Sequence, residues 1–255
     1  MLLSTPGLVL HTTPYSESSV VVKVFTRQLG VRSYIIKGVR GRGGRVKRKL
    51  GDQSGANLSL LQPLTCLDMV VYNNEKTDLN YIKELSPRHS STVSSFHSLS
   101  LPLTPSHSPI ENALRFFMTE VLYKALLEAE PMPALFDYIE KINTQTLKQS
   151  ITQAISPLPI SFLLTVARHL GIEPLDNYST RESFFDLQEG RFVATPTETT
   201  LPTHLSETLH NYLGFPLSTF HFPLDDRTSL INALITYYHL HLSGFSHFHS
   251  HEILH

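Results

Sequence analysis

The stretch Val20-Val21-Val22-Lys23-Val24-Phe25-Thr26-Arg27-Gln28-Leu29-Gly30-Val31-Arg32-Ser33-Tyr34-Ile35-Ile36-Lys37 decides the amino-terminal fold. Its first and last thirds are rich in β-branched and aromatic residues, and Gln28-Leu29-Gly30 between them reads as a tight turn, so it predicts a hairpin. Alternate side chains of a strand share a face. Lys23, Phe25 and Arg27 then fall opposite Val20, Val22 and Val24, and Arg32 and Tyr34 fall opposite Val31, Ser33 and Ile35. Two neighbouring strands thus each offer an aromatic ring beside cations. Single strands are held in this way, with cations along the phosphates and rings stacked on bases.

Outward from the hairpin, Leu8 to Thr12 reads as a strand before it, and Ala56 to Leu61 and Leu67 to Tyr72 read as two strands after it. Five short strands separated by turn residues predict a small β-barrel or sandwich. Between the third and fourth lies residues 38–49, where Arg40, Arg42, Arg45, Lys47, Arg48 and Lys49 alternate with four glycines. Glycine lets a backbone follow an irregular phosphate path and present its amides to it. The segment lacks the Gly-Lys-Ser/Thr ending of a P-loop, so nucleotide hydrolysis is not expected.

The net charge of -1 conceals this segment. Residues 1–50 hold ten of the 21 Lys and Arg and a single acid, Glu17, which makes them +9; the other 205 residues are -10. Such asymmetry points to one half that meets a polyanion and another that does not. Apolar residues are 41% and charged residues 17% of the chain, as in ordinary globular proteins. No apolar run approaches the ~18–20 residues that span a bilayer, and the amino terminus lacks the positive n-region of a secretory signal. One cysteine, Cys66, excludes an internal disulfide and a multi-thiolate metal site. A soluble cytoplasmic protein is expected.

Past residue 85 the pattern turns helical. Ser86 to Pro109 is rich in Ser, His and Pro and reads as a connection. Ser108-Pro109-Ile110-Glu111 marks a helix start, and Leu114, Phe117, Val121, Leu122, Ala125 and Leu126 carry the helix to about Ala129. Further helices are predicted from Pro133 through Ile142, from Ile160 to Leu170 with a stop at Gly171, and over about 203–213 and 226–242. Phe184-Phe185-Asp186 and Arg191-Phe192-Val193 form a small hairpin near 183–194. The fold class is α+β, with a β domain over residues 1–80 and a mostly helical domain over 81–255.

Several chemistries are set aside. Gly-x-Ser-x-Gly and His-Glu-x-x-His do not occur. Cys66 sits in an apolar strand pattern, as a small core residue does. His239 and His241 lie two apart on a helix and face different ways, while His247, His249, His251 and His255 alternate with other residues near the terminus. Neither an enzyme nor a physiological metal site or cofactor is expected. Helical aromatics, among them Phe116, Phe117, Tyr123, Tyr237 and Tyr238, pack a core, and some could line a groove for a peptide tail with an apolar end. Arg115, Lys124 and Arg168 are the candidate cations beside such a groove.

At Thr13-Pro14-Tyr15-Ser16-Glu17-Ser18, Phe25-Thr26, Gly30, Lys37-Gly38 and the basic segment, the sequence resembles the RecO family. The resemblance continues in order through Leu61-Gln62-Pro63, Glu128-Ala129-Glu130-Pro131-Met132-Pro133-Ala134-Leu135-Phe136, His169-Leu170-Gly171 and Tyr237-Tyr238-His239-Leu240-His241-Leu242. It implies a five-stranded OB-fold barrel before the helical domain. It implies binding and annealing of single- and double-stranded DNA, partnership with RecR, and contact with the C-terminal tail of the single-stranded-DNA-binding protein. The joint task would be loading RecA onto coated strands during DNA repair. The DNA-binding set would be Lys23, Phe25, Arg27, Arg32, Tyr34, Lys37, Arg40, Arg42, Arg45, Lys47, Arg48 and Lys49. Many family members carry a four-cysteine zinc site after the segment matching His169-Leu170-Gly171; residues 176–193 here hold no cysteine, so no zinc is expected and aromatic packing is to hold the hairpin. The alternative from a different class is an OB-fold RNA-binding module of translation or ribosome assembly, and a third is a metal-dependent enzyme using the histidine-rich terminus.

Overall fold

A computed structural model of the chain describes residues 1–37, 39, 58–74, 77–88, 109–126, 130–143, 158–214, 224–245 and 248–250. The protein is α+β and divides into two compact units, one of residues 1–108 with 126–145 and the other of residues 109–125 with 146–255.

The first unit is a closed barrel of β1 (Leu2–Pro14), β2 (Val20–Thr26), β3 (Gly30–Ile36), β4 (Cys66–Tyr72) and β5 (Leu79–Pro87), in the order β1-β2-β3-β5-β4. All neighbours are antiparallel except β3 with β5. That is the five-stranded Greek-key closure of an OB-fold. Val9, Val20, Val22, Val24, Tyr34, Ile36, Leu61, Leu67, Met69 and Val71 fill its interior. The helix α2 (Pro133–Lys141) also belongs to this unit; it opens on Pro133 and buries Leu135, Phe136 and Ile139.

Three expectations about this unit change. β1 is longer than Leu8 to Thr12 and runs through Pro6-Gly7. Gly7 lies where a Cβ would come within 2.5 Å of both Met69 and Val24 side-chain carbons, so only glycine lets the strand pass this close to the core. A register shift between Val9 and His11 bends β1 further, as barrel closure needs. The strand expected over 56–61 is instead a 3-10 turn in its described part, Leu58–Leu61. Leu61 is buried there in the barrel core, and the turn is tied to β1 by the Thr12 hydroxyl donating to the Leu61 carbonyl at 3.1 Å. The fifth strand is Leu79–Pro87, polar and half exposed, so the boundary expected between residues 80 and 81 falls inside β5.

The second unit holds α1 (Pro109–Ala125), α3 (Leu158–His169), α4 (Thr203–Gly214), α5 (Leu224–His241) and the hairpin β6 (Phe184–Asp186) and β7 (Arg191–Val193). α1 starts at the predicted Pro109 and ends at Ala125, short of Ala129; residues 127–129 lie outside the described set. α3 stops as Gly171 predicts. Its φ is +75°, the Ile172 amide donates to the Ala167 carbonyl at 3.0 Å and the Gly171 amide to the Arg168 carbonyl at 3.2 Å, the paired bonds of a Schellman cap. Buried Tyr238 fixes α5 against α3 through its hydroxyl, which donates to the Leu163 carbonyl at 2.7 Å.

The hairpin is held by aromatic packing, with Phe192 edge-on to Phe185 at 5.1 Å and to Tyr178 at 5.2 Å. Buried Asp186 adds a polar tie, accepting from the amides of Gln188 and Glu189 and from the hydroxyls of Thr197 and Thr199. Burial alone raises its pKa, but the donors outweigh burial and hold it below the usual carboxylate value. A carboxylate depressed on folding stabilises above its unfolded pKa, and that contribution is lost as pH falls through the folded value. The second unit is therefore expected to weaken below about pH 4. Asp186→Asn should flatten this acid dependence and cost roughly 1–3 kcal/mol at neutral pH, read from denaturant melts across pH.

Candidate nucleic-acid interface

The strand pairing sorts the expected DNA-binding residues differently from parity within single strands. Antiparallel partners share a face. Lys23 pairs with Ser33, Phe25 with Val31, Val22 with Tyr34 and Val24 with Arg32. Lys23 and Phe25 are thus on the outer face, while Arg32 and Tyr34 share the inner face with Val22 and Val24. The ring and cation of β2 and those of β3 therefore do not share one face.

Both rings are withdrawn from bases. Phe25 is fully buried because α2 covers that part of the outer face, with the Phe136 ring centroid 5.7 Å away. Tyr34 lies inside the barrel, and burial, opposed by the Arg32 charge, pushes its phenol pKa up to about 12. Neither can stack on a nucleotide.

The cations fall into three groups. Arg27 is engaged by α2: its Nε and Nη2 donate to the two Asp137 carboxylate oxygens at 2.7 and 2.9 Å. The hydrogen bond and charge of Asp137 raise the guanidinium pKa, and Arg27 in turn lowers that of the Asp137 carboxyl. Arg88, which the sequence did not single out, is held in the same manner by Asp68 at 2.8 Å and Glu140 at 2.5 Å. Lys23 and Arg32 are half-buried, and Lys37 is exposed at the end of β3. Arg40, Arg42, Arg45, Lys47, Arg48 and Lys49 lie outside the described residues.

The exposed aromatics of the barrel were not foreseen. Tyr72 pairs directly with Tyr81 across β4 and β5, and Leu2 pairs with Tyr72 across β1 and β4. Tyr72, Tyr81 and Leu2 are 47%, 46% and 46% exposed. Continuing around the outside, Tyr81 pairs with Ile35, Ile35 with Val21 and Val21 with Thr13. Tyr15 follows in the β1–β2 turn, exposed at 62%. Lys37 reaches over the Tyr81 ring, its Nζ 5.2 Å from the centroid. The signal for these tyrosines was present: Tyr72 alternates with Val71 and Met69 at a strand end. Tyr81 was hidden because its strand was not recognised.

In the second unit the candidate partner cations are partly engaged as well. Lys124 pairs with Glu120 at 2.9 Å and lies over the Phe248 ring at 5.6 Å. Glu120 also accepts from the amides of His249 and Ser250. Arg168 pairs with Glu173 at 2.6 Å, and Arg115 is half-buried on α1. Of the terminal histidines, the His241 imidazole is 2.9 Å from the Leu187 carbonyl and the His239 ring is edge-on to Phe245 at 5.2 Å. Cys66 is half-buried, with the Asn143 amide 3.3 Å from its sulfur. Among the described residues no helix is long and apolar enough to cross a membrane.

Residues 1–91 match the family model described as Recombination protein O N terminal. The whole chain is 25% identical to the DNA repair protein RecO of Azobacteroides pseudotrichonymphae over 263 residues, covering 100% of this chain and 98% of the relative. It is 26% identical to that of Flavobacterium psychrophilum, with 100% and 98% covered, and 27% identical to that of Christiangramia forsetii, with 96% and 94% covered.

Proposed function

We propose, from its similarity to DNA repair proteins RecO along the whole chain, that this protein is a RecO-type, non-catalytic mediator of DNA repair and recombination which binds single- and double-stranded DNA and anneals complementary strands. In this reading it acts in the cytoplasm, on the nucleoid. The observation that carries the proposal is local. The six cations of residues 38–49 continue directly from Lys37, at the barrel end where Lys37 is exposed beside Tyr81. Cations among glycines meet phosphates regardless of base identity, so affinity is steep in salt and weak in sequence preference.

With RecR, the protein helps to load RecA onto strands coated by the single-stranded-DNA-binding protein, whose C-terminal tail docks on the helical unit. Support for a protein-facing role there is the charge division, -10 over residues 51–255 against +9 before them. Annealing of complementary strands coated with their cognate binding protein tests the proposal, and acceleration by this chain is expected. No acceleration, together with tight binding of structured RNA, would replace it with a module of translation or ribosome assembly.

A further inference from the structure

The tyrosine pair on β4 and β5 has no structural task that its exposure would serve. The barrel's large aromatic cores, Phe25 and Tyr34, are fully buried, whereas Tyr72 and Tyr81 keep nearly half their surface in contact with solvent. Their interior neighbours Val71 and Ile82 do the packing. Directly paired residues have Cβ atoms about 4.5–5.5 Å apart, so the two rings stand side by side on one face. The cross-strand row that contains them, Thr13, Val21, Ile35, Tyr81, Tyr72 and Leu2, carries no charge. Lys37 adjoins it beside Tyr81, and from Lys37 the chain enters residues 38–49 with six Lys and Arg and no acid.

We propose that Tyr72 and Tyr81 form a base-stacking platform for single-stranded nucleic acid, with Lys37 serving the adjoining phosphate. The inference rests on the DNA-binding reading above and assigns it a strand-selective part. Rings side by side with a cation at the edge suit a polymer of flat faces joined by anions. Every base has a π-face, so such a platform is tolerant of sequence. Duplex DNA keeps its bases stacked on one another and offers the rings nothing. The Lys37 ammonium lies over Tyr81 at 5.2 Å, and a base that stacks there takes its place and leaves the ammonium for the phosphate. The basic segment then serves both kinds of DNA and the tyrosines only one.

The test is binding of a labelled oligothymidylate and a labelled duplex of equal length, at one fixed salt concentration, by the full chain. Tyr72→Ala with Tyr81→Ala is expected to weaken single-strand binding about ten-fold or more and duplex binding less than about two-fold. Tyr72→Phe with Tyr81→Phe should leave both unchanged, since the ring and not the hydroxyl acts. Tyr72→Leu with Tyr81→Leu keeps apolar cover over the strands but removes the rings, and should reproduce the alanine result even if the alanine pair fails to fold. Equal losses on both substrates, unchanged single-strand binding by the folded leucine pair, or a loss in the phenylalanine pair would each overturn the platform. An original chain that binds neither DNA would instead overturn the DNA-binding reading itself.

Discussion

Reversing three charges of the basic segment, Arg42→Glu with Arg45→Glu and Arg48→Glu, is expected to lower DNA affinity on the order of a hundred-fold at low salt. The reason is counterion release. Each phosphate neutralised by a cation contributes about -0.9 to the slope of log affinity against log salt on duplex DNA, and about -0.7 on single strands. Removing three contacts should make the slope shallower by about 2–3 on either substrate. The change should strike single and double strands alike, because phosphates are common to both. It should leave the melting of the helical unit unaltered, since that unit's described ion pairs, such as Lys124–Glu120 and Arg168–Glu173, do not involve the segment. Titrations at several salt concentrations measure this, and an unchanged slope would show that the segment does not meet phosphate.

Phe25→Ala and Phe136→Ala are each expected to cost about 3–5 kcal/mol of stability in the barrel unit, as loss of a large aromatic side chain from a core does. Both rings are fully buried and lie against each other at 5.7 Å. Denaturant melts measure the loss. The same pair of positions separates packing from base contact. Phe25→Leu, which retains most of the buried volume, should bind DNA like the original protein under conditions where it is folded. Tyr34→Phe should also leave binding intact, and it should be neutral or stabilising. The Tyr34 hydroxyl is buried with no hydrogen-bond partner among the described residues, so its removal relieves a desolvated polar group. A selective loss of single-strand affinity in either variant would restore these rings to the DNA surface.

These two positions show where sequence reading of the site reaches its limit. Parity along one strand correctly separates Phe25 from Val22 and Val24, and Tyr34 from Ile35. It does not reveal which strand faces coincide, because that depends on register, and Lys23 meets Ser33 rather than Arg32. Nor does it reveal what covers an outward residue: Phe25 is sealed by Phe136, 111 positions later in the chain. The same helix brings Asp137 to Arg27 and Glu140 to Arg88, so Arg27 is paired although its own segment has almost no acids.

The helices and the small hairpin were more legible, because their signals are local. Pro109 and Pro133 open helices, Gly171 closes one with a positive φ, and the hairpin formed where Gln188-Glu189-Gly190 placed its turn. The barrel was legible in class but not in every member. β5 escaped because it is polar and half exposed, and Leu58–Leu61 imitated a strand because apolar residues that plug a barrel end need no particular period.

The most direct test of the central claim is the salt dependence of DNA binding by the unaltered chain, followed on one single strand and one duplex. Affinity for both is predicted to fall linearly in log–log coordinates as salt rises, with a slope of several units and little dependence on base sequence. Binding that is absent at low salt, or that does not change with salt, would contradict it.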